Sequence, residues 1–290
     1  MSPFRTDLTL EAAQAQHEQG LTALPGVEER IYEREGCGVT LVRITGPEGA
    51  RLLEKPEGTY VTLDLSHVAR REPDAFTRSV HAVAAELKAL LPKDCNGCVL
   101  VVGLGNRFVT PDAVGPRVTD QIFVTRHLLR QDPEKFDLFR PVCAMATGVL
   151  GTTGMESVEL VDAAVSRVRP ALVIAVDALA ARSAQRLCTT VQLGDTGIVP
   201  GSGIGNARAA LDTKRLGVPV IAVGIPTVVE ASTLALDLTG QEGAGDLSGL
   251  LVTPKDIDVL LSDLSKVVGY GINLALQEGL EIEDMELLLS

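Results

Sequence analysis

Residues Cys98–Leu104 read CVLVVGL, an apolar run without a charged residue. Two similar runs follow along the chain, Ala171–Val176 (ALVIAV) and Val218–Val223 (VPVIAV). Runs of this kind are typical of parallel strands that are covered on both faces. Segments with helical spacing of apolar residues separate them, as in Val158–Val168. Apolar strands that alternate with amphipathic helices predict an α/β fold, in which a mainly parallel sheet lies between two helical layers.

The rest of the chain extends this α/β/α pattern and contains no break that would divide it. The sequence shows no repeat and no linker rich in Ser or Pro, so a single domain is expected. The remaining predicted strands are Val39–Ile44, Thr59–Leu65, Pro141–Thr147 and Leu187–Leu193. The remaining predicted helices are Leu10–Gln19, Pro73–Leu91, a segment after Pro116, Thr227–Leu238 and Pro254–Gln277.

The composition argues against several classes of function. Lys and Arg number 26 against 38 Asp and Glu, which gives a net charge of −12, and only 3% of residues are aromatic. Binding to nucleic acid needs basic and stacking side chains, which this chain lacks. The longest uncharged stretch, Pro141–Met155, has 15 residues, fewer than the roughly 18–20 apolar residues of a membrane span. Five cysteines, an odd number, and an N-terminus without an apolar signal segment favour the reducing cytoplasm.

Two aspartates follow predicted strands at the sheet edge where ligands of parallel α/β folds bind. Asp112 lies in the segment after Cys98–Leu104, and Asp177 comes directly after Ala171–Val176. Two carboxylates held close together cannot both ionise easily, so one retains its proton. Such a pair can activate water and protonate a leaving amine, which contributes about 10²–10⁴-fold in rate. Capping of a helix or turn is the commoner role of such aspartates, and spacing alone leaves both roles open.

Other motifs for catalysis and cofactor binding are incomplete. Gly103 and Gly105 begin a G-x-G pattern, but the third glycine of a dinucleotide fingerprint would fall at Phe108. The sequence has neither a phosphate-binding P-loop nor the G-x-S-x-G of a serine hydrolase. Cys95-x-x-Cys98 precedes a strand rather than a helix, and no second pair of ligands accompanies it. The sequence therefore predicts no cofactor and no metal site.

A glycine-rich loop, Gly194–Asn206, holds five glycines in thirteen residues. Glycine lets another backbone approach closely, so this loop could line a substrate groove. It could equally be a surface loop without a role in binding, and composition does not decide between the two.

Six segments in chain order carry a more specific pattern. They are Val101–Asn106 (VVGLGN), Val109–Pro116 (VTPDAVGP), Val124–Leu128 (VTRHL), Val176–Ser183 (VDALAARS), Pro200–Asn206 (PGSGIGN) and Val218–Val229 (VPVIAVGIPTVV). These segments resemble the germination protease family of spore-forming bacteria. The resemblance runs from Arg5 to the C-terminal helix, and six motifs in one order make it specific.

This resemblance implies an endopeptidase that begins the degradation of small acid-soluble spore proteins when a spore germinates. These substrates coat DNA in the dormant spore, so the enzyme itself would contact neither nucleic acid nor membrane. The implied fold is similar to that of hydrogenase maturation endopeptidases, and the implied location is the cytoplasm of the forespore and the spore core. The family's proposed catalytic pair corresponds to Asp112 and Asp177, the aspartates that follow the predicted strands.

The resemblance also implies a zymogen with a short N-terminal extension and assembly as a homotetramer. The extension is removed at a site like that of the substrate, an acidic residue followed by a hydrophobic one, and Thr6–Thr9 (TDLT) fits. We therefore predict self-cleavage between Asp7 and Leu8, with residues 1–7 as propeptide and residues 8–290 as peptidase domain. The connection between Leu238 and Leu251 is shorter than in the members compared, so no role of their insertion is transferred.

Two other functions remain open at the level of sequence. A metal-dependent endopeptidase could use the same carboxylates as ligands, by analogy with the related maturation enzymes. A non-catalytic module could use the glycine-rich loops to hold a peptide. A chelator and an incubation with a spore-protein substrate would separate these alternatives from the aspartate-dependent endopeptidase.

Overall fold

A computed structural model describes residues 5–201, 209–240, 247 and 249–289. Its strands are β1 (Val27–Arg34), β2 (Cys37–Ile44), β3 (Gly58–Asp64), β4 (Val99–Leu104), β5 (Val142–Gly148), β6 (Leu172–Ala181), β7 (Thr190–Gly194), β8 (Val220–Glu230) and β9 (Leu251–Val252). Its helices are α1 (Thr9–Glu18), α2 (Pro47–Leu53), α3 (Ser66–Ala69), α4 (Ala75–Leu90), α5 (Val114–Thr119), α6 (Arg126–Gln131), α7 (Leu150–Thr153), α8 (Ser157–Val168), α9 (Thr213–Leu216), α10 (Ala231–Thr239), α11 (Ile257–Leu276) and α12 (Ile282–Leu288). Two 3₁₀ turns, Thr110–Asp112 and Ala184–Arg186, follow β4 and β6.

The described strands form one mixed sheet in the order β1-β2-β3-β7-β8-β6-β4-β5, with β9 paired to β8. The pairs β8–β6, β6–β4 and β4–β5 are parallel. The strands β1, β2, β3 and β7 pair in antiparallel sense, and β7 joins them to β8. The predicted α/β fold with a parallel core is confirmed, and the sheet has an antiparallel half that the apolar runs do not reveal.

Helices cover both faces of the parallel core. On one face, α4, α5 and α11 pack on the sheet around a cluster that includes Val83, Ile174 and Leu264. On the other face, α8 packs on β4 through a second cluster that includes Val161 and Leu100. Successive side chains of a strand point to opposite faces, so the continuous apolar runs of the sequence supply both clusters.

Helix α11 is the central helix of the first face. It has the length and composition of a membrane span, but 67% of its 18-residue apolar window is buried inside the protein. Its Gly271 lies so close to α4 that a Cβ at this position would be 2.6 Å from the Val83 side chain. Phe76 of α4 and Tyr270 of α11 meet edge to face, with ring centroids 5.6 Å apart. The apolar character of α11 therefore serves helix packing.

Three predicted helices differ from the structure. In place of the single helix predicted after Pro116 there are two short ones: α5, which already begins at Val114, and α6. The predicted helix Thr227–Leu238 begins only at Ala231, because β8 continues to Glu230 through pairing with β6 and β9. The last long helix begins at Ile257 rather than at Pro254. The elements without a counterpart among the predictions are strands β1 and β9 and helices α2, α3, α7, α9 and α12.

Candidate active site

Asp112 is held by the turn that follows β4. Gly105, directly after this strand, has a φ of +104°, and a Cβ here would lie 2.1 Å from the Asp112 carbonyl oxygen. Only glycine fits such a conformation and such a close approach. The chain then makes the 3₁₀ turn Thr110–Asp112, and the Asn106 backbone N–H donates to Asp112 Oδ2 at 2.8 Å. These contacts place a half-buried carboxylate beyond the carboxyl end of β4.

Asp177 lies inside β6 rather than after it. Strand β6 pairs with β4 as far as Val176 and with β8 as far as Ala181. Asp177 is therefore the first residue of β6 that is no longer paired with β4. It is 5% exposed, and its Oδ1 accepts the Ala178 backbone N–H at 2.9 Å. Asp177 thus lies where the pairing with β4 stops, as expected for the carboxyl end of a parallel strand, although β6 itself continues to Ala181.

Helix α5 and strand β8 hold the 3₁₀ turn beside β6. Gly115 of α5 lies against the ends of two strands: a Cβ there would be 2.3 Å from the Leu104 backbone and 2.6 Å from the Val176 carbonyl oxygen. Thr227 of β8 donates its hydroxyl to the Pro111 carbonyl oxygen at 2.7 Å. The turn is therefore fixed to β8 by a hydrogen bond, and to β4 and β6 through the close packing of α5.

One cavity of about 320 Å³ lies at this edge of the sheet. Asp112 and Asp177 both line it, and Val109, Thr227 and Thr253 are among its other walls. A concave site with mostly apolar walls and a few convergent polar groups is the usual form of a binding pocket. The structure thus brings together the two aspartates that the sequence analysis selected, and their catalytic roles stay a prediction.

The N-terminal segment enters the same cavity. Asp7 lines it and donates its backbone N–H to the Ala180 carbonyl oxygen at 2.9 Å. The Ala180 N–H donates in turn to Asp7 Oδ2 at 2.8 Å. Leu8 is fully buried in an apolar cluster with Leu179. The predicted cleavage site is therefore packed against β6.

Gln192 of β7 holds the backbone on both sides of Leu8. Its Nε2 donates to the Asp7 carbonyl oxygen at 3.1 Å, and its Oε1 accepts the Thr9 N–H at 2.7 Å. The Leu8 N–H donates to the Thr6 hydroxyl oxygen at 3.0 Å. The carbonyl and the N–H of the predicted scissile bond are thus both hydrogen-bonded in this conformation.

Two charged residues that sequence reasoning missed also hold this segment. Glu11 is 2% exposed and accepts the Arg182 and Ser183 N–H groups at 2.6 Å and 3.0 Å. Lys55 donates from Nζ to the Thr6 carbonyl oxygen at 3.2 Å. Glu11 lies 171 positions from Arg182 in the chain, and no local pattern can reveal a contact of that range.

A model of a known protein family matches most of the chain. The model is described as germination protease, and it matches residues 5–240. This chain belongs to the germination protease family. The family is one of peptidases, so the chain is a peptidase, and a module that only binds peptides is set aside.

Germination proteases from several bacteria are similar along nearly the whole chain. The relative from Clostridium acetobutylicum is 39% identical over 322 residues, with 98% of each chain covered. That from Caldanaerobacter subterraneus is 41% identical and covers 99% of this chain and 98% of its own. That from Bacillus velezensis is 36% identical, covering 95% and 94%. A solved structure, the [NiFe] hydrogenase maturation protease HycI from Thermococcus kodakarensis, aligns with a TM-score of 0.35 and 15% identity, covering 64% of this chain and 98% of that chain.

The cysteines of the Cys95-x-x-Cys98 motif have different partners in this germination protease. Cys95 Sγ lies 3.0 Å from Nη2 of Arg140, whereas Cys98 Sγ lies 3.9 Å from the thiol sulfur of Cys143 on β5. The contact with Cys143 lowers the pKa of Cys98 to about 7 and raises the pKa of Cys143. Both contacts lie near the start of β4, away from the cavity that follows its end.

Part of the glycine-rich loop reaches the cavity. Pro200 and Gly201 line it, whereas residues 202–208 lie outside the described residues, with most of the Pro200–Asn206 motif. Residues 241–246 and 248, within the short connection before β9, also lie outside them. Within the described ranges, no three His, Cys, Asp or Glu side chains are grouped closely enough to hold a metal ion.

Proposed function

We propose that this peptidase is an endopeptidase that begins the degradation of small acid-soluble spore proteins during germination, with Asp112 and Asp177 as its catalytic pair. The observation that carries the proposal is that these two carboxylates, one from a turn and one from a strand, line a single cavity. Membership of the germination protease family supports the substrate class and the cellular setting.

In this mechanism, water attacks the carbonyl carbon of the substrate peptide bond. One carboxylate accepts a proton from the water, and the other, protonated at the start, donates its proton to the amine that leaves as the C–N bond breaks. The Asn106 and Ala178 N–H groups each orient one oxygen of a carboxylate. A coupled pair titrates as a unit, so the acid and base roles belong to the pair rather than to either residue.

The proposal includes activation of a zymogen. Residues 1–7 act as propeptide and residues 8–290 as peptidase domain, with self-cleavage between Asp7 and Leu8. This is supported by the position of Asp7 in the wall of the cavity that a substrate would enter. The hydrogen bonds of Gln192 and Thr6 to this peptide bond indicate that the segment must move before the bond is cut. A homotetramer, located in the cytoplasm of the forespore and in the spore core, is expected from family membership alone.

Replacement of either aspartate tests the pair. Asp112→Asn and Asp177→Asn should each slow cleavage of a small acid-soluble spore protein by at least about 10²-fold, because an amide cannot exchange the required proton. The fold, followed by circular dichroism, should be unchanged. Mass spectrometry measures the substrate fragments and the N-terminus of the enzyme together. We expect a new N-terminus at Leu8 in the wild type and its loss in both variants.

Asp120→Asn is the matched control for these variants. Asp120 follows α5, is 48% exposed and pairs with Arg107 at the surface, so this variant should keep full activity. Near-full activity of either Asp112→Asn or Asp177→Asn would rule out the catalytic pair. A chelator supplies a further arm: activity that is lost on chelation and restored by a divalent metal would favour the metal-dependent endopeptidase.

A further inference from the structure

Two thiols meet between neighbouring strands at one edge of the sheet. Cys98 directly precedes β4, and Cys143 is the second residue of β5, which ends the described strand order beside β4. The parallel register sets Leu100 opposite Cys143, and because side chains alternate along a strand, Cys98 and Leu100 point to the same face. The sulfur atoms of Cys98 and Cys143 are therefore only 3.9 Å apart, although the two residues are 45 positions apart in the chain.

The third cysteine of this region, Cys95, has other partners. Its Sγ accepts from Nη2 of Arg140 at 3.0 Å and donates to the Ala171 carbonyl oxygen at 3.5 Å. Cys95 is 8% exposed, whereas Cys98 and Cys143 are both partly exposed free thiols. The thiol that faces Cys98 thus comes from the neighbouring strand β5 and not from the Cys95-x-x-Cys98 motif.

The surroundings of the pair favour a thiolate on Cys98. The Cys143 thiol donates a hydrogen bond that lowers the pKa of Cys98 to about 7, and the guanidinium groups of Arg126 and Arg140 act in the same direction, against the effect of burial. The same hydrogen bond, together with burial, raises the pKa of Cys143, so this thiol keeps its proton. The thiolate is the nucleophile of cysteine chemistry. The two thiols are therefore unequal: Cys98 is the one that attacks an electrophile.

We propose that Cys98 is a modification site for small peroxides and that Cys143 converts the product into an intrachain disulfide. The Cys98 thiolate attacks one oxygen of hydrogen peroxide, the O–O bond breaks, hydroxide leaves, and Cys98 becomes a sulfenic acid. The Cys143 sulfur then attacks the Cys98 sulfur, the S–O bond breaks, and the hydroxyl group leaves with the thiol proton as water. The two thiols lose two electrons in total, and the peroxide gains them.

The position of the pair suits this chemistry. The sulfur atoms must approach each other by about 2 Å to reach bonding distance, a shift of the size that a change of side-chain rotamer produces. A partly exposed thiolate beside cationic groups and next to a second thiol is the usual setting of a cysteine that reacts with peroxide. Formation of the disulfide also stops the irreversible oxidation of the sulfenic acid to sulfinic acid. The site is independent of the proposed peptidase mechanism, since it lies near the start of β4 and the cavity follows the end of that strand.

Hydrogen peroxide treatment and mass spectrometry of the full-length chain test the pair. At neutral pH and a small molar excess of peroxide, the wild type should lose the mass of two hydrogen atoms. Digestion without reductant should yield a cross-link that fragmentation assigns to Cys98 and Cys143, and a thiol reductant should remove it. A bond between Cys95 and Cys98 in its place, or the absence of any bond, would overturn the proposal.

Two single substitutions separate the roles of the cysteines. Cys143→Ser keeps a hydrogen-bond donor beside Cys98 but removes the second sulfur, so oxidation should stop at the sulfenic acid, which a 1,3-diketone reagent captures. Cys95→Ser is the matched control, because it removes the other cysteine of the motif and should form the cross-link as the wild type does. Loss of the cross-link in a folded Cys95→Ser variant, or no sulfenic acid in a folded Cys143→Ser variant, would contradict the assignment.

Alkylation of the wild type keeps the inference testable if a variant does not fold. Iodoacetamide at neutral pH should modify Cys98 at least about 10-fold faster than Cys188, because Cys188 is 1% exposed and burial raises its pKa to about 12. Treatment with peroxide should then protect Cys98 and Cys143 together until a reductant is added. Equal rates at Cys98 and Cys188, or protection of Cys98 without Cys143, would rule the proposal out.

Discussion

Glu11 is a single residue that links helix α1 to the chain segment directly after β6. Its 2%-exposed carboxylate accepts the Arg182 and Ser183 N–H groups and pairs with Arg186 at 3.4 Å. Glu11→Gln would place an amide NH₂ against backbone donors. Since hydrogen bonds to a charged group contribute about 1.5–3 kcal/mol, the free energy of unfolding should fall by about 2 kcal/mol, as measured by urea denaturation.

Glu18→Gln is the control on the same helix. Glu18 pairs with Arg182 at 2.8 Å, but its side chain is 59% exposed, and exposed pairs contribute only about 0–1 kcal/mol. Glu18→Gln should therefore lower the free energy of unfolding clearly less than Glu11→Gln does. Equal effects of the two substitutions would show that the buried carboxylate does not anchor the N-terminal segment.

The residues of the candidate site fall into two groups, those that local sequence identifies and those whose contacts lie far along the chain. Asp112 and Asp177 can be found from sequence because each follows an apolar run, and the carboxyl ends of parallel strands meet at one edge. Lys55, Gln192 and Glu11 cannot be found in this way, because their partners lie far along the chain. Family resemblance supplies the predicted cleavage site after Asp7, but the contacts that hold this segment come only from the fold.

Helix α5 shows how one element positions the site. Gly115→Ala would place a methyl group 2.3 Å from the Leu104 backbone, where the contacted atoms belong to a central strand and cannot move aside. Overpacking of this kind typically costs 1–3 kcal/mol, and the rigid neighbours place this substitution near the upper end. Thermal or urea unfolding should show a loss of about 3 kcal/mol, together with reduced peptidase activity, because the Asp112 turn moves with α5.

Gly151→Ala provides the comparison in another short helix. Gly151 lies in α7, and a Cβ there would have no atom within 4 Å. Alanine is favoured over glycine in a helix by up to about 1 kcal/mol, so this variant should be as stable as the wild type or slightly more. If Gly115→Ala were equally neutral, α5 would not be held against the strands as described.

The bounds of the elements show where local sequence stops being sufficient. The apolar runs locate β4, β6 and β8, but β6 continues through Ala178–Ala181, residues with weak strand preference, because β8 runs beside them. The segment Thr227–Glu230 belongs to β8 for the same reason, although its spacing predicts a helix. Strand preference depends on neighbours across the sheet, and these neighbours are set by the fold as a whole.

Stability should be distributed unevenly across the whole molecule. The edge strand β1 (VEERIYER) is mostly exposed and pairs with β2, and its charges discourage pairing with another chain. Strand β6 lies between β4 and β8 and is almost entirely buried. Native-state hydrogen exchange should therefore be roughly 100-fold faster for the amides of β1 than for those of β6. Comparable protection of the two strands would show that the antiparallel half opens only with the core.

For the molecule as a whole, the alternation of apolar strands and helices predicts the parallel core. The hairpin of β1 and β2 is not predicted, since five of the eight residues of β1 are charged. Polar edge strands lack the apolar signal on which the prediction depends. The sequence therefore predicts the buried strands of the parallel core better than the exposed strands at the edge of the sheet.

The contacts on the two sides of the Asp7–Leu8 bond have a further consequence. Asp7 is held by Ala180 and Gln192, and Leu8 is buried separately, so a cut at this bond would not by itself free the N-terminal piece. Before the cut, the piece is tethered at an effective concentration on the order of millimolar. Afterwards it is an ordinary ligand, subject to mass action. Cleavage of the bond and release of the N-terminal piece from the cavity would then be separate events. In a cleaved enzyme the piece would stay bound at high protein concentration and would dissociate on dilution.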